Sequence, residues 1–508
     1  MQRAGHGMAT LAFHDVRYRV AVKGGVAPLQ VLDGVSGAAR AGRLCAVLGG
    51  SGSGKTSLLD VVAQRKESGE WSGRVELDGQ EVIGPVWRRA VGYVTQQDRL
   101  LSSATVREVL VFSALMRTPH KSAAEVEARI EGVLGELSLA HRRDARIGSD
   151  AVRSLSGGEL RRVSIAQELV ADAQTLLLDE PTSGLDSSSA LNVVELLRQL
   201  ALRGRIVLAT LHQPSGKICA CFDDLLVLGR GRVCFRGEWA QLVPHLQSLG
   251  FEVPPYYSPA ETVLDLTMRD DSLIRLWAAP EPRAASADAS GPPHASASAS
   301  ASTQSKTAET GAAHAQASFA MQCQLLWRRS FQQFYRNELM LVSEVCQYIL
   351  LGLLIALIYG RFPDSLAQGS FNRISAIFFI LTTIVFVPSF TQVTVSAEDF
   401  PLLKREVGAG WYNIGAHFVA KTGTAWPFEL LLLLIFQVCC YFICGFASSF
   451  AAFGTFYLVS FVFLIIAETF GLICACLAPS ATIGVLVLSV LLVICLGLGG
   501  FLVDPTPA

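Results

Sequence analysis

The chain has 508 residues, of which 51% are hydrophobic and 17% are charged. Soluble domains carry about a quarter charged residues, so this composition excludes a wholly soluble protein and predicts that part of the chain lies in lipid. A formal net charge of −1 argues against a protein that binds nucleic acid by neutralising phosphates, and no nucleic-acid partner is expected. The length predicts two or more domains.

Residues 1–275 alternate short apolar runs with helical stretches. RLCAVLGG, TLLLDEP and RIVLATLH are typical of strands, and SALNVVELLRQLALRG is typical of a helix. Strands that alternate with helices predict an α/β domain with a mainly parallel sheet.

The segment GGSGSGKTS follows a predicted strand and fits the pattern G-x-x-x-x-G-K-[ST]. Glycines let backbone N–H groups turn inward around phosphate oxygens, and the next helix N-terminus adds positive potential. Lys55 is predicted to reach the β- and γ-phosphates of a nucleotide, and Thr56 to bind Mg²⁺. The predicted phosphate loop consists of Gly49, Gly50, Ser51, Gly52, Ser53, Gly54, Lys55, Thr56 and Ser57.

Two carboxylates follow the apolar strand TLLL later in the chain. Asp179 at the end of the strand suits a Mg²⁺ contact. Glu180 is predicted to be the general base that activates the attacking water. Gln96, in YVTQQD, is expected to touch both Mg²⁺ and water, and His212, in TLHQPS, to contact the γ-phosphate as a second catalytic residue. A surface acidic pair is the alternative, but the order of glycine-rich loop first and acidic strand later argues against it.

A second glycine-rich segment, SLSGGELRR, places a hydroxyl and two bare backbone N–H groups at a predicted helix N-terminus. That arrangement binds anions. Because the chain already has one phosphate loop, a second is useful if it closes over a nucleotide held by another copy. With these motifs the chain resembles the ATP-binding cassette (ABC) transporters, whose signature motif is similar to LSGGE.

The resemblance implies that ATP is held between the Walker motifs of one cassette, meaning its phosphate loop and acidic strand, and the signature of a second cassette. The signature residues are Leu155, Ser156, Gly157, Gly158 and Glu159. SGLD resembles the family's D-loop, which links the two sites, and comprises Ser183, Gly184, Leu185 and Asp186. The implied ligands are ATP and Mg²⁺. Tyr18 is a candidate for stacking on the adenine, although it lies far upstream of the phosphate loop.

Residues 276–318, which include ASASASAS, contain almost nothing able to bury apolar area. They are predicted to be a disordered, low-complexity linker. Residues 319–508 are predicted to form an all-α polytopic membrane domain that begins with an interfacial helix over Met321–Leu339. About five apolar runs each approach the length that spans a bilayer. They are Leu341–Tyr359, Ile374–Val395, Trp426–Phe446, Phe453–Leu477 and Ile483–Val503.

Basic residues orient this domain. Arg328, Arg329 and Arg336 precede the first run, and Lys404, Arg405 and Lys421 lie between the second and third. Both groups are expected on the cytoplasmic side, and an even number of spans separates them. The prediction is an integral, multi-pass membrane protein with a cytoplasmic cassette, in either the plasma membrane or an organelle membrane.

The order of cassette before membrane domain, together with DEPTSGLDS and HQPS, resembles the G subfamily of ABC half-transporters. LLKREVGAGWY resembles that subfamily's R-E-x-x-x-x-x-Y segment, which by analogy lies against the cassette. The resemblance implies a half-transporter that dimerises, as a homodimer or a heterodimer, and exports lipids, sterols or other amphipathic compounds by ATP hydrolysis. A non-transporting or regulatory half-subunit that binds ATP and assembles with a full-length partner is the alternative.

G-subfamily membrane domains have six spans, whereas the sequence contains about five, and DPTPA resembles the start of the segment before the sixth. We therefore expect a chain that lacks its last membrane helix. Glu429 and Glu468 lie near or within apolar runs, where a carboxylate facing lipid is costly. They are expected to contact the substrate path, to make packing hydrogen bonds between helices, or to lie near the lipid headgroups.

Overall fold

The computed structural model describes residues 9–21, 28–66, 68–148, 154–254, 258–269, 316–360, 366–447 and 449–498. The chain divides into two compact units. The first comprises Met1–Ser318 and Gly408–Tyr412, and the second comprises Phe319–Val407 and Asn413–Ala508. The predicted linker at 276–318 lies almost wholly outside the described residues, as does the DPTPA segment.

In the described part of the first unit, ten strands form two sheets. They are β1 (Thr10–Val20), β2 (Leu29–Arg40), β3 (Leu44–Gly49), β4 (Glu70–Leu77), β5 (Gln80–Glu81), β6 (Gly92–Val94), β7 (Thr175–Leu178), β8 (Ile206–Thr210), β9 (Asp224–Gly229) and β10 (Arg232–Glu238). One sheet has four antiparallel strands in the order β2-β1-β4-β5. The other has six strands in the order β10-β9-β3-β8-β7-β6, and all its pairs are parallel except β10 with β9.

Nine α-helices accompany these strands in the described residues of this unit. They are α1 (Lys55–Val62), α2 (Gly84–Ala90), α3 (Val106–Arg117), α4 (Ala123–Glu136), α5 (Gly157–Leu169), α6 (Ser187–Leu202), α7 (Gly216–Cys219), α8 (Leu242–Ser248) and α9 (Pro259–Arg269). Helices α3, α4 and α5 each begin with a capping box, in which a Ser or Thr side chain and a Glu three residues later satisfy each other's backbone N–H groups.

The parallel strands β3, β7 and β8 are buried along their whole length. Strands covered on both faces are apolar at every position, and this is why RLCAVLGG and RIVLATLH lack alternation. Successive side chains of β3 point to opposite faces, so Leu44 and Leu48 join one apolar cluster while Cys45 and Val47 join another. The predicted mainly parallel α/β domain is confirmed.

Six helices form the described part of the second unit. They are α10 (Phe319–Arg336), α11 (Glu338–Tyr359), α12 (Leu366–Gly408, its last residue lying in the first unit), α13 (Ile414–Cys444), α14 (Phe450–Leu477) and α15 (Ala481–Leu498). In the described ranges, α11, α12, α13 and α14 are long and apolar enough to cross a membrane, and α15 is a shorter apolar helix. The sequence predicted about five spans, but the end of the fifth, at 499–503, lies outside the described residues.

Polar contacts join the helices of this unit. Arg329 on α10 donates two hydrogen bonds, of 2.9 and 2.8 Å, to the buried carboxylate of Glu406 on α12. Between α13 and α14, Trp426 Nε1 donates to Glu468 Oε2 over 3.0 Å. Of the three expectations for Glu468, this favours a packing hydrogen bond between helices. Glu429 Oε2 is buried and has no hydrogen-bond partner among the described residues.

Candidate nucleotide site

The carboxyl ends of four neighbouring parallel strands meet at one edge of the six-stranded sheet. The phosphate loop follows β3, Gln96 lies just after β6, Glu180 just after β7 and His212 just after β8. Ligands of open α/β sheets bind at this edge. A cleft of about 550 Å³ opens here, lined by Val31, Ser51, Gly52, Ser53, Gly54, Lys55, Thr56, Ser57, Gln96, Glu180, Ser183 and His212.

The phosphate loop has no room for side chains where it contacts the sheet. A Cβ at Gly49 would lie 2.3 Å from Ser53 Oγ and 2.6 Å from the Leu228 carbonyl oxygen. Gly54 has a φ of 97° and caps α1, a conformation that strains residues with a Cβ. No side chain caps the start of α1 and its first turn carries no acidic residue, so neither competes with an anion for its N–H groups.

Lys55 is buried beneath this loop. Its Nζ donates to the carbonyl oxygens of Gly49, at 2.7 Å, and Gly50, at 3.1 Å. Burial lowers the pKa of Lys55, and the nearby charges of Glu180 and Asp179 partly offset that effect. The two hydrogen bonds to loop carbonyl oxygens hold the Lys55 ammonium group in position.

Asp179 and Glu180 lie side by side in different surroundings. The Asp179 carboxylate is 3% exposed, and its Oδ1 accepts hydrogen bonds from Thr56 Oγ1 at 3.1 Å and Thr210 Oγ1 at 2.8 Å. Burial raises the pKa of Asp179 against the effect of these two donors. Glu180 reaches the cleft, where its Oε2 accepts a hydrogen bond from Gln96 Nε2 at 2.8 Å.

These residues fit a triphosphate with its divalent cation. Thr56, Gln96 and Asp179 offer oxygen atoms, which hard cations such as Mg²⁺ prefer. Ser53 Oγ is buried with no hydrogen-bond partner in the described part of the chain, and Ser53 lines the cleft. A buried hydroxyl without a partner is costly, and a phosphate oxygen would satisfy it.

The signature segment forms the start of α5. Ser156 is exposed and caps the helix, because its Oγ accepts from the Glu159 amide at 3.2 Å and its own amide donates to Glu159 Oε2 at 2.8 Å. Leu155 is 5% exposed and belongs to the apolar core. None of the described residues that line the cleft belongs to the signature.

The D-loop runs between the cleft and the signature. Ser183 lines the cleft, and a Cβ at Gly157 would lie 3.1 Å from Leu185 Cδ2. Asp186 caps α6 through bonds from the Ser188 and Ser189 amides, of 3.1 and 3.0 Å. Hydrogen bonds from the Ser188 and Ser189 side chains, and then those from the amides, lower the pKa of Asp186. Gly184, with a φ of 74°, allows the turn between Ser183 and Asp186.

Comparison with known proteins decides the family. The ABC transporter family model matches residues 32–183, and the ABC-2 type transporter model matches residues 321–507. The chain is 32% identical to the broad substrate specificity ATP-binding cassette transporter ABCG2 of Sus scrofa, over 91% of this chain and 74% of that one. It is 31% identical to ABC transporter G family member 4 of Arabidopsis thaliana, over 92% and 77%. It is 35% identical to G family member 22 of Dictyostelium discoideum, over 81% and 67%.

The chain belongs to the G family of ABC transporters. It is therefore an integral, multi-pass membrane protein with a cytoplasmic nucleotide-binding cassette. As an ABC transporter, it couples ATP hydrolysis to movement of a substrate across a membrane.

Two residues of this ABC cassette were missed from the sequence. Thr210 contacts Asp179 and Glu180, the two acidic residues that follow β7. Its position two residues before His212 could have identified it as a candidate site residue. Arg161 on α5 is 2% exposed and donates to the carbonyl oxygens of Thr95, at 2.7 Å, and Gln96, at 2.5 Å. The position of Arg161 in the sequence, shortly after the signature glycines, does not indicate that it contacts Thr95 and Gln96.

Tyr18 is not available to stack on a nucleotide base. Its ring is 2% exposed, its hydroxyl donates to the Ser68 carbonyl at 2.8 Å, and the Lys66 ammonium lies 5.1 Å from the ring centroid. Among the described lining residues of this ABC cassette, Val31 is the apolar side chain that faces the cleft outside the phosphate loop.

Proposed function

We propose that this chain is a half-transporter that dimerises, binds ATP with Mg²⁺ between two cassettes, and moves lipids, sterols or other amphipathic compounds. One observation carries the proposal. The cleft gathers the phosphate loop, Gln96, Glu180 and His212, whereas the anion-binding signature at Ser156 lies exposed and outside that cleft. A second copy, or a related subunit, would bring its signature to this cleft.

The residues have distinct roles in hydrolysis. Lys55 neutralises the β- and γ-phosphates, and Glu180 takes a proton from the attacking water. Gln96 holds the Glu180 carboxylate through their 2.8 Å hydrogen bond. His212 contacts the γ-phosphate from the end of the neighbouring strand. Thr56, Gln96 and Asp179 would hold Mg²⁺, which would supply positive charge to neutralise the phosphates.

The signature completes the site in trans. Its capping box uses the amides of Ser156 and Glu159. The Gly157 and Gly158 amides belong to the first turn, whose N–H groups have no partner within their own helix. These amides and the Ser156 hydroxyl would bind the γ-phosphate of the partner's ATP. This chain contains both the Walker residues and the signature, so a homodimer would have two complete ATP sites. A heterodimer with a related subunit is equally consistent with these residues.

Residues Gly408–Tyr412, which connect α12 to α13, belong to the same compact unit as the cassette. Within this unit the Arg117 guanidinium lies 5.4 Å from the centroid of the Trp411 ring, which is 1% exposed. Arg117 also pairs with Glu168 at 2.7 Å, near the end of the helix that begins at the signature. We propose that this contact transmits displacement of α5 to the membrane helices.

The substrate class rests on the membrane helices. Large apolar side chains are exposed along α11, α13 and α14, as lipid-facing and substrate-facing walls require. The relative from Sus scrofa is named for broad substrate specificity, which agrees with recognition of amphipathic character over a single chemical group. Glu429, whose Oε2 is buried without a hydrogen-bond partner among the described residues, is a candidate for contact with the polar end of such a substrate.

Mixed dimers test the proposal. Ser156→Arg and Lys55→Ala chains should each be inactive alone. When the two variants are mixed and reconstituted, one of the two sites combines an intact Walker set with an intact signature. That site should hydrolyse ATP, and vanadate should then trap the ADP product there. Wild-type chains in liposomes should show vanadate-sensitive ATPase activity and uptake of a fluorescent lipid. Full trapping by Ser156→Arg chains alone would contradict the shared site, and wild-type chains without ATPase activity would favour a regulatory half-subunit.

A further inference from the structure

Thr210 is the last residue of β8 and is fully buried. Its hydroxyl lies between Asp179 and Glu180, the two acidic residues that follow the neighbouring strand β7. Thr210 Oγ1 donates to Asp179 Oδ1 over 2.8 Å, and the Glu180 amide donates to Thr210 Oγ1 over 2.8 Å. One side chain thus contacts both the expected cation ligand and the expected base.

These two bonds leave the hydroxyl no freedom to rotate. A threonine hydroxyl has one proton to donate, and that proton is used on Asp179. One of its lone pairs accepts the Glu180 amide, so the two acidic residues are joined through a single oxygen atom. Val at this position would have nearly the same shape but could make neither bond.

The Glu180 backbone needs such a partner. Its φ is 45°, in the left-handed region that residues with a Cβ rarely adopt. A residue held in this conformation costs free energy that its surroundings must offset. The bond from the Glu180 amide to Thr210 Oγ1 supports this conformation and thereby directs the Glu180 carboxylate into the cleft.

The contact with Asp179 orients the carboxylate as well. Thr56 and Thr210 both donate to Oδ1, which leaves Oδ2 as the oxygen available to a cation. Partners of this kind, which do not touch the cation themselves, typically change metal affinity or activity by about 10- to 100-fold when they are removed.

We propose that Thr210 is a positioning residue that sets the Asp179 carboxylate for the cation and the Glu180 carboxylate for the attacking water. The proposal rests on the function proposed above. Thr210 acts through its two neighbours, since it is not among the described residues that line the cleft.

The test compares Thr210→Val, which removes the hydroxyl, with Thr210→Ser, which keeps it. Binding of Mn²⁺ in the presence of ATP is measured on the full chain by electron paramagnetic resonance. Thr210→Val should raise the Mn²⁺ concentration for half-saturation about tenfold, and Thr210→Ser should stay within about threefold of wild type. The kcat of Thr210→Val should fall about tenfold or more while the KM for ATP stays within about twofold.

Thermal unfolding without nucleotide provides the stability control. If Thr210→Val does not fold, Thr210→Ala against Thr210→Ser makes the same comparison. Wild-type Mn²⁺ affinity and kcat in Thr210→Val would overturn the proposal. Equal losses in the Val and Ser variants would also overturn it, because Ser keeps the hydroxyl and the effect would then belong to packing around residue 210. Wild-type chains without ATPase activity would instead contradict the proposed function.

Discussion

The Arg142 guanidinium donates from Nε to Oε1 of Glu159 over 2.8 Å, joining the turn at Ala140–Arg142 to the first turn of α5. The other oxygen of Glu159 accepts the Ser156 amide. The signature therefore carries a negative charge one hydrogen bond away from the residue proposed to meet the partner's ATP. Arg142 compensates that charge, which leaves the positive potential of the helix N-terminus to act on phosphate.

Replacing Arg142 with Ala should weaken the interaction of the signature with ATP. An uncompensated charge about 10 Å from a phosphate costs roughly 1–2 kcal/mol at an effective dielectric constant of 20, which corresponds to about tenfold. We expect the ATP concentration for half-maximal hydrolysis to rise by that factor.

Two controls accompany this variant. Arg143 is the next residue but pairs with Glu127, at 2.5 Å, and Glu131, at 3.0 Å, so Arg143→Ala should leave the ATP dependence near wild type. In the Glu159→Gln background the negative charge of the ion pair has gone, so adding Arg142→Ala removes the remaining positive charge and should return the ATP dependence to near wild type. A double variant as impaired as Arg142→Ala alone would contradict the electrostatic explanation.

The same carboxylate predicts a pH dependence of stability. Burial alone would raise the pKa of Glu159, but hydrogen bonds from Ser156 and Arg142 outweigh it and lower the pKa from 4.5 to about 2. A carboxylate whose pKa is lower in the folded state stabilises that state above about pH 4.5, and the stabilisation is lost as the pH falls towards 2. The thermal midpoint of wild type should therefore fall more than that of Glu159→Gln between pH 6 and pH 3. Parallel curves for the two proteins would refute this.

Glu180→Gln should separate binding from turnover. The amide cannot accept a proton from water, so the hydrolysis rate should fall by about 10² or more. ATP should still bind, because the phosphate loop is unchanged. Lys55→Ala should instead weaken binding of a fluorescent ATP analogue. Substantial hydrolysis by Glu180→Gln would remove Glu180 from its proposed role.

Glu406→Gln should destabilise the membrane domain. Glu406 is 1% exposed and accepts two hydrogen bonds from Arg329. Breaking a buried ion pair by removing one charge costs about 3–5 kcal/mol. We expect less folded protein in detergent by size-exclusion chromatography and a lower thermal midpoint. Arg328→Ala changes an exposed residue of α10, next to Arg329, and should behave as wild type.

Motifs whose chemistry is local were predicted from the sequence with little ambiguity. The phosphate loop requires glycines where the backbone approaches the sheets, as at Gly49 and Gly54. The sequence GGSGSGKTS shows glycines at these positions directly. Strands β3, β7 and β8 were recognised because strands buried on both faces are uniformly apolar.

Contacts between distant segments left no comparable signal. Thr210 meets Asp179 only because β8 and β7 are neighbours in the sheet, and Arg142 meets Glu159 only after a turn packs on α5. Tyr18 was a candidate because aromatic rings suit adenine, but its burial depends on Lys66 and Ser68 far along the chain. Residue type alone does not reveal which surface a side chain faces.

The strand order has a consequence for the synthesis of the protein. β3, which leads into the phosphate loop, pairs with β8 and β9, which begin at Ile206 and Asp224. At translation rates of about 5–20 residues per second, roughly 10–30 s separate the emergence of β3 from that of its first neighbour. During this interval an apolar strand has no partner in its sheet, and the nascent chain is exposed to aggregation. The nucleotide can therefore assist folding only after most of the cassette has left the ribosome.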